Sequence, residues 1–212
     1  MTTTKLSNDD LSIEIQDFGA ELHSIKKDDV EYLWQGDPEF WARQAPVLFP
    51  IVGKLKNGSY TYDNETFKLG GHGFARDQVF HLLESEANEA IFELKTNRET
   101  RAVYPFDFRL RITYQLSGNQ LTVKWEVKNL DDQDMYFGIG AHPAFNVPLA
   151  NGKFEDYRLT ISPAQSRQYI PLNPATGVLD LSQKHEVEQN DFALTRELFK
   201  ADALIFETPE AT

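Results

Sequence analysis

Cysteine is absent from this 212-residue chain. That excludes disulfide staples, thiolate metal sites and cysteine nucleophiles, and it fits a reducing compartment. Also missing is any apolar run near the roughly 20 residues that a membrane-spanning helix requires. The segment Met1-Thr2-Thr3-Thr4-Lys5-Leu6 has no apolar core of the secretory type, so a cytoplasmic protein without a membrane partner is expected. Positive charge is scarce: 21 Lys and Arg stand against 33 Asp and Glu, for a net charge of −12. Such a chain repels polyanions, and Lys54-Leu55-Lys56 is too short a basic run to reverse that, so no nucleic-acid partner is expected.

Several catalytic signatures are missing as well. No Gly-x-Ser-x-Gly elbow supports a serine hydrolase. No glycine-rich loop precedes a helix in the manner of a phosphate cradle. The five histidines, His23, His72, His81, His142 and His185, include no i, i+4 pair of the helical zinc type. Internal repeats, low-complexity tracts and linkers are absent too.

What is present is strand patterning. Hydrophobic residues make up 41% and charged residues 25%, an ordinary globular balance. Leu11-Ser12-Ile13-Glu14-Ile15 alternates apolar and polar residues, and Phe18 to Leu22 follows after a turn. Tyr60-Thr61-Tyr62 and Thr66 to Leu69 flank the polar turn Asp63-Asn64-Glu65, and Val79 to Leu83 and Ala90 to Leu94 flank the acidic stretch Glu84 to Glu89. The strongest hairpin joins Phe108–Leu116 to Leu121–Asn129 through Ser117-Gly118-Asn119-Gln120. Long strands with one apolar face suit stacked antiparallel sheets. Helical signal is sparse: one turn at Asp37 to Trp41, and a short helix over Asp191 to Lys200 capped by Asp191. The expectation is all-β: a large antiparallel β-sandwich forming a single domain over residues 1–212.

Two segments place an imidazole among glycines: Gly70-Gly71-His72-Gly73-Phe74-Ala75-Arg76-Asp77 and Gly138-Ile139-Gly140-Ala141-His142-Pro143-Ala144-Phe145-Asn146. Glycine permits sharp turns and close ligand approach, and imidazole is the proton handler of neutral pH. His72 is either a ligand-facing donor at a broken sheet edge or a turn residue capping a carbonyl. Arg76 either anchors a hydroxyl, carboxylate or phosphate through its planar fork or pairs structurally with Asp77 or another carboxylate. His142 either faces a cavity floored by Phe145, the kind of aromatic floor that sugars favour, or is a satisfied core histidine. Lys54, after Gly53, is either a pocket cation or a solvated surface residue.

These segments resemble the aldose 1-epimerases (galactose mutarotase-like proteins), within them the bacterial group of LacX-type proteins. The matching residues are Pro46-Val47-Leu48-Phe49-Pro50-Ile51-Val52-Gly53-Lys54, His72-Gly73-Phe74-Ala75-Arg76, Tyr104-Pro105-Phe106 and Gly140-Ala141-His142-Pro143-Ala144-Phe145-Asn146. Their order and spacing agree, and the resemblance runs from about Leu11 to the carboxyl end. It implies the galactose mutarotase-like supersandwich with a sugar site on a concave sheet, and interconversion of α and β anomers with no metal or organic cofactor. In that chemistry a base deprotonates the anomeric hydroxyl, an acid protonates the ring oxygen, and reclosure after bond rotation gives the other anomer.

On the same resemblance, His142 matches the general acid and His72 the second imidazole at the ring oxygen. Lys54 and Arg76 match substrate contacts, and Asp202 a hydroxyl-binding acid. The implied ligand is a small-molecule sugar or sugar phosphate, with a homodimer left open. One departure stands out. The family's base is a glutamate in a late Glu-Pro-Trp-like segment; none is present, and Glu207 has a different setting. The expectation is therefore a chain that lacks its last strands, with an open sheet edge and exposed apolar surface. The alternatives to an isomerase are a non-catalytic carbohydrate-binding protein of the same fold and a sandwich serving only protein–protein contact.

Overall fold

The computed structural model of the chain describes residues 1–173 and 175–209. They fall into two compact units, Met1–Asn146 and Val147–Thr212. Thr212, on which the expectation of missing closing strands is anchored, lies outside the described residues.

The first unit begins with a four-stranded antiparallel sheet of β1 (Thr3–Ser7), β2 (Ser12–Gln16), β3 (Leu22–Lys27) and β4 (Val30–Glu31), paired in that order. The alternation that marks these strands becomes burial: Leu6, Ile13 and Ile15 point inward between more exposed neighbours. A two-residue strand, β5 (Val47–Leu48), lies at the heart of the buried run Gln44–Pro50. The hairpin of β6 (Ser59–Tyr62) and β7 (Glu65–Lys68) turns at Asp63 and Asn64, both with left-handed φ of 48° and 62°. Asp and Asn tolerate that region best among non-glycine residues, which is why this dipeptide reads as a tight turn.

A second four-stranded sheet contains β8 (His81–Ser85), β9 (Glu89–Lys95), β10 (Phe108–Ser117) and β11 (Gln120–Asn129), in the order β11-β10-β9-β8. Between β9 and β10 sits α1 (Arg98–Val103), a helix that strand patterning does not reveal. It starts at a reciprocal cap: Asn97 accepts the N–H groups of Glu99 and Thr100, and Thr100 accepts that of Asn97. In β10, Phe108, Leu110, Ile112, Tyr114 and Leu116 are all buried, and they pack with the inward residues of the first sheet into one core. Tyr114 O–H donates to the Ala20 carbonyl at 2.7 Å, a polar tie across that core. Two antiparallel sheets face to face over a shared apolar interior make this unit a β-sandwich, as the alternation predicts. The last strand, β12 (Gly140–Ala141), pairs antiparallel with β5.

The second unit contains β13 (Arg158–Thr160), β14 (Arg167–Tyr169), β15 (His185–Val187) and β16 (Asp191–Ala193), joined as two antiparallel pairs, β13 with β16 and β14 with β15. The helix expected over Asp191 to Lys200 is not there. Asp191 starts β16, where its carboxylate takes three bonds from the Arg158 guanidinium, at 2.9, 3.0 and 2.5 Å, across the ladder. Phe192 is buried, and only Glu197–Phe199 forms a single helical turn. A cross-strand ion pair and a buried aromatic outweigh the capping preference of an aspartate.

Candidate functional site

The two histidine segments meet. Pairing of β12 with β5 sets Gly140 opposite Leu48 and Ala141 opposite Val47, and His142 N–H extends the ladder by donating to the Pro46 carbonyl at 3.1 Å. From the other segment, Phe49 forms a parallel bridge with Gly73, and its carbonyl accepts the N–H groups of Phe74 and Ala75. The buried strand β5 and its continuation therefore carry one histidine on each flank. The imidazoles of His72 and His142 lie 5.4 Å apart, centroid to centroid, edge to face.

Glycine is a requirement at one position here. Gly73 has φ of +70°, and a Cβ on it would lie 2.2 Å from the Phe49 carbonyl oxygen. His72 itself adopts φ of 68°, a conformation that few non-glycine residues occupy. Two backbone links to Gly53 hold it: His72 N–H donates to the Gly53 carbonyl at 2.8 Å, and Gly53 N–H donates to Nδ1 of His72 at 3.1 Å. The neutral ring therefore carries its hydrogen on Nε2.

Partial burial pushes the His72 imidazole below its usual 6.5, and Arg76, His142 and Lys54 add to the shift. A second positive charge on the pair is disfavoured: at 5.4 Å the repulsion is between about 1 and 3 kcal/mol, depending on water access. The site is cationic overall, a local inversion in an acidic chain.

Arg76 follows His72 on a short helical turn, Ala75–Asp77. Its Nη2 donates to the Gly71 carbonyl at 2.9 Å, and its buried Nε makes no hydrogen bond but lies 3.8 Å from Oδ2 of Asp77. Burial lowers its pKa, as does Arg43, while Asp77 and Glu21 work in the opposite direction. Arg43 lies 2.5 Å from Asp77, donates to the Arg76 carbonyl at 3.3 Å and approaches Glu21 at 4.0 Å. Arg76 is thus partly structural, as its neighbour Asp77 suggested, with the structural pair made chiefly by Arg43. Lys54 is exposed and sits along the backbone leading to His72: a Cβ on Gly71 would lie 3.2 Å from its Cγ. The fifth residue, Asp202, belongs to the second unit. It is exposed there, with φ of 76°, and its N–H donates to the Phe199 carbonyl at 3.0 Å. Glu207, in the same unit, is ion-paired with Lys184 at 2.7 Å.

The floor of the site differs from expectation. Along the strand, Ala141, Pro143 and Phe145 share one face, and all three line an apolar cavity of about 270 Å³ with Leu22, Val47 and Trp125. His142 alternates to the other face. The aromatic packed against it is Trp41, whose ring centroid lies 5.2 Å from that of His142. Trp41 and Arg43 are the residues that the sequence alone left unassigned. Their signal was faint: an aromatic and a cation at alternate positions just before the buried run Gln44–Pro50.

A second cavity, of about 500 Å³, adjoins the site through Pro50, Ile51 and Gly138. Tyr60, Tyr62, Tyr104, Phe106, Tyr136 and Phe137 line it with aromatic rings, and no histidine reaches it. Its ionisable groups are phenols, and burial pushes those of Tyr60 and Tyr104 further above neutrality, so the imidazole pair defines the candidate site rather than this cavity. Among the described residues, no group of three or more His, Asp or Glu side chains could hold a metal ion, and no helix is long and apolar enough to cross a membrane.

Residues 2–207 match the family model described as aldose 1-epimerase. The plasmid-encoded LacX protein of Lactococcus lactis subsp. lactis is 40% identical over 215 residues, covering 97% of this chain and 72% of that protein. A galactose mutarotase related enzyme from Lactobacillus acidophilus has a similar structure, with a TM-score of 0.94 and 42% identity over 97% of this chain and 69% of its own. A galactose mutarotase-like protein from Lactobacillus casei superposes with a TM-score of 0.86 at 33% identity, over 97% of this chain and 71% of its own.

Proposed function

The chain belongs to the aldose 1-epimerase family, and on that premise we propose that it interconverts the α and β anomers of an aldose or aldose phosphate by acid–base ring opening. The observation that carries this reading is the 5.4 Å approach of His72 and His142 on the two flanks of one buried strand. His142 acts as the general acid at the ring oxygen, while solvent water takes the proton of the anomeric hydroxyl as the ring opens. His72, its Nδ1 occupied by Gly53, offers Nε2–H to the same oxygen and orients it. Lys54 and Arg76 contact hydroxyls or a phosphate. A galactose mutarotase related enzyme and a LacX protein among the relatives support a sugar as ligand.

One observation favours a second reading, sugar binding without turnover. The ionisable neighbours that act on His72 are all cationic, namely Arg76, His142 and Lys54, and no carboxylate base is among them. Polarimetry separates the two. Faster decay of optical rotation in freshly dissolved α-glucose, α-galactose or their 6-phosphates supports the isomerase. A spontaneous rate on all of them, with sugar binding detected by calorimetry, supports the binding protein.

A further inference from the structure

Among the described residues, two rings pack against the His142 imidazole. One is His72, and the other is the indole of Trp41 at 5.2 Å with the planes tilted by 51°. Both partners of the indole contact stand on fixed backbone. Trp41 N–H donates to the Asp37 carbonyl at 2.8 Å, and the Trp41 carbonyl accepts Nε1–H of Trp34 at 2.8 Å. His142 N–H is held by Pro46.

The surroundings of the pair set the two imidazoles apart. On the His72 side, Nδ1 already accepts Gly53 N–H, so a second ring proton has no room there without breaking that bond. Lys54 and Arg76 add repulsion from the same side. Beyond Arg76 lie Arg43, Asp77 and Glu21, which are engaged with one another. Strand β5, paired with the histidine strand, presents Val47 and Leu48 and no ionisable group. The turn that carries Trp41 contributes Asp37, whose Oδ1 accepts Glu39 N–H at 2.9 Å, and Glu39 itself. An indole within about 6 Å attracts a cation through the negative potential of its π face.

We propose that Trp41 is a positioning residue that fixes the His142 ring against its indole, so that His142 serves as the donor acid of the pair while His72, held by Gly53, orients the same oxygen. This rests on the acid role assigned to His142 above. The indole limits the orientations open to the ring and turns two similar imidazoles into one donor acid and one orienting group.

The test uses the 212-residue chain with Trp41→Phe and Trp41→Leu. Mutarotation is recorded for each, and the His142 ring resonances, assigned by their loss in His142→Gln, are followed by NMR. A loss of kcat of roughly ten-fold is expected for Leu, with KM changed less than about two-fold and activity largely restored in the Phe variant. The His142 resonances should broaden in the Leu variant as the ring gains freedom. An unchanged kcat in the Leu variant, or a loss confined to KM, overturns the proposal. Should the Leu variant not fold, Trp41→Met takes its place with the same expectations. A parent chain without turnover defeats the isomerase reading, while the His142 resonances still decide the role of Trp41.

Discussion

His72 and Gly53 hold each other by two hydrogen bonds across nineteen positions of sequence, one from each backbone N–H, at 2.8 and 3.1 Å. The second of these ends on Nδ1 of the imidazole and thereby selects the tautomer with hydrogen on Nε2. Nitrogen NMR at neutral pH is expected to show Nε2–H for His72. A dominant Nδ1–H tautomer would contradict the site geometry. The pH dependence follows from the same contacts. Burial first, then Arg76, His142 and Lys54, hold His72 below its usual 6.5. In that window the unfolded chain binds a proton that the folded chain refuses. The contribution of His72 to stability is therefore complete above about pH 6.5 and is lost as pH falls below it. His23 is lowered by burial in the same direction, against Glu21 and Glu14. Urea midpoints measured from pH 7.5 to 5 should decline, and the decline should shrink but persist in His72→Asn.

That variant also tests catalysis. Asparagine tolerates the left-handed φ of 68° better than most residues, so the fold should survive with a stability change within about 1 kcal/mol. The imidazole is gone, and mutarotation is expected to fall by roughly 10²-fold or more. A His72→Asn variant with full activity would remove His72 from the proposed mechanism.

Gly73→Ala should do more harm than replacing the histidine beside it. The new methyl would lie 2.2 Å from the Phe49 oxygen and 2.6 Å from the Pro50 nitrogen, both backbone atoms that cannot step aside. The residue would also be left at φ of +70°. A loss of about 2–4 kcal/mol is expected in urea unfolding, with activity lost in parallel because the Phe49 bridge is what brings the His72 segment to the strand.

The sandwich itself was readable because burial follows a two-residue period: Phe108 to Leu116 shows in sequence the alternation that becomes its buried face. The pairing of His72 with His142 was readable through the family resemblance and not through spacing, since seventy residues separate them and only β5 brings them together. What escaped has physical causes. Helix α1 is six residues long, too short for a helical period, and its one signal is the cap at Asn97 and Thr100. Asp191 looked like a cap because a local preference cannot foresee Arg158 across a ladder. By sequence Phe145 reads as the floor beneath His142, but an even spacing along a strand places it with Ala141 and Pro143 on the opposite face. Trp41 comes from a turn that no periodicity links to the site.

The Asn97 cap offers a control away from the histidines. Asn97→Ala removes the acceptor for Glu99 and Thr100 N–H, and should cost about 1 kcal/mol in urea unfolding. The mutarotation rate of the folded variant should equal that of the parent. A matching loss of rate would show that the site depends on α1.

Glu21 is the buried carboxylate on which the site's scaffold hangs. It is 4% exposed, and Oε1 accepts the N–H groups of Gln44 and Ala45 at 2.8 and 3.0 Å. The Gln44 carbonyl accepts Ala144 N–H, and the Pro46 carbonyl accepts His142 N–H. The carboxylate therefore fixes the strand that in turn fixes His142, without touching the imidazole. Glu21→Leu strands two backbone donors in an apolar setting and leaves Arg43 with Asp77 as its remaining carboxylate partner. The expected loss is about 2–4 kcal/mol in urea unfolding. Glu21→Gln keeps an acceptor oxygen for both N–H groups and should lose less than half as much. In the folded population of either variant the His142 strand is less well held, so kcat should fall further for Leu than for Gln. Equal stability of the two variants would show that the amides of Gln44 and Ala45 do not need the oxygen.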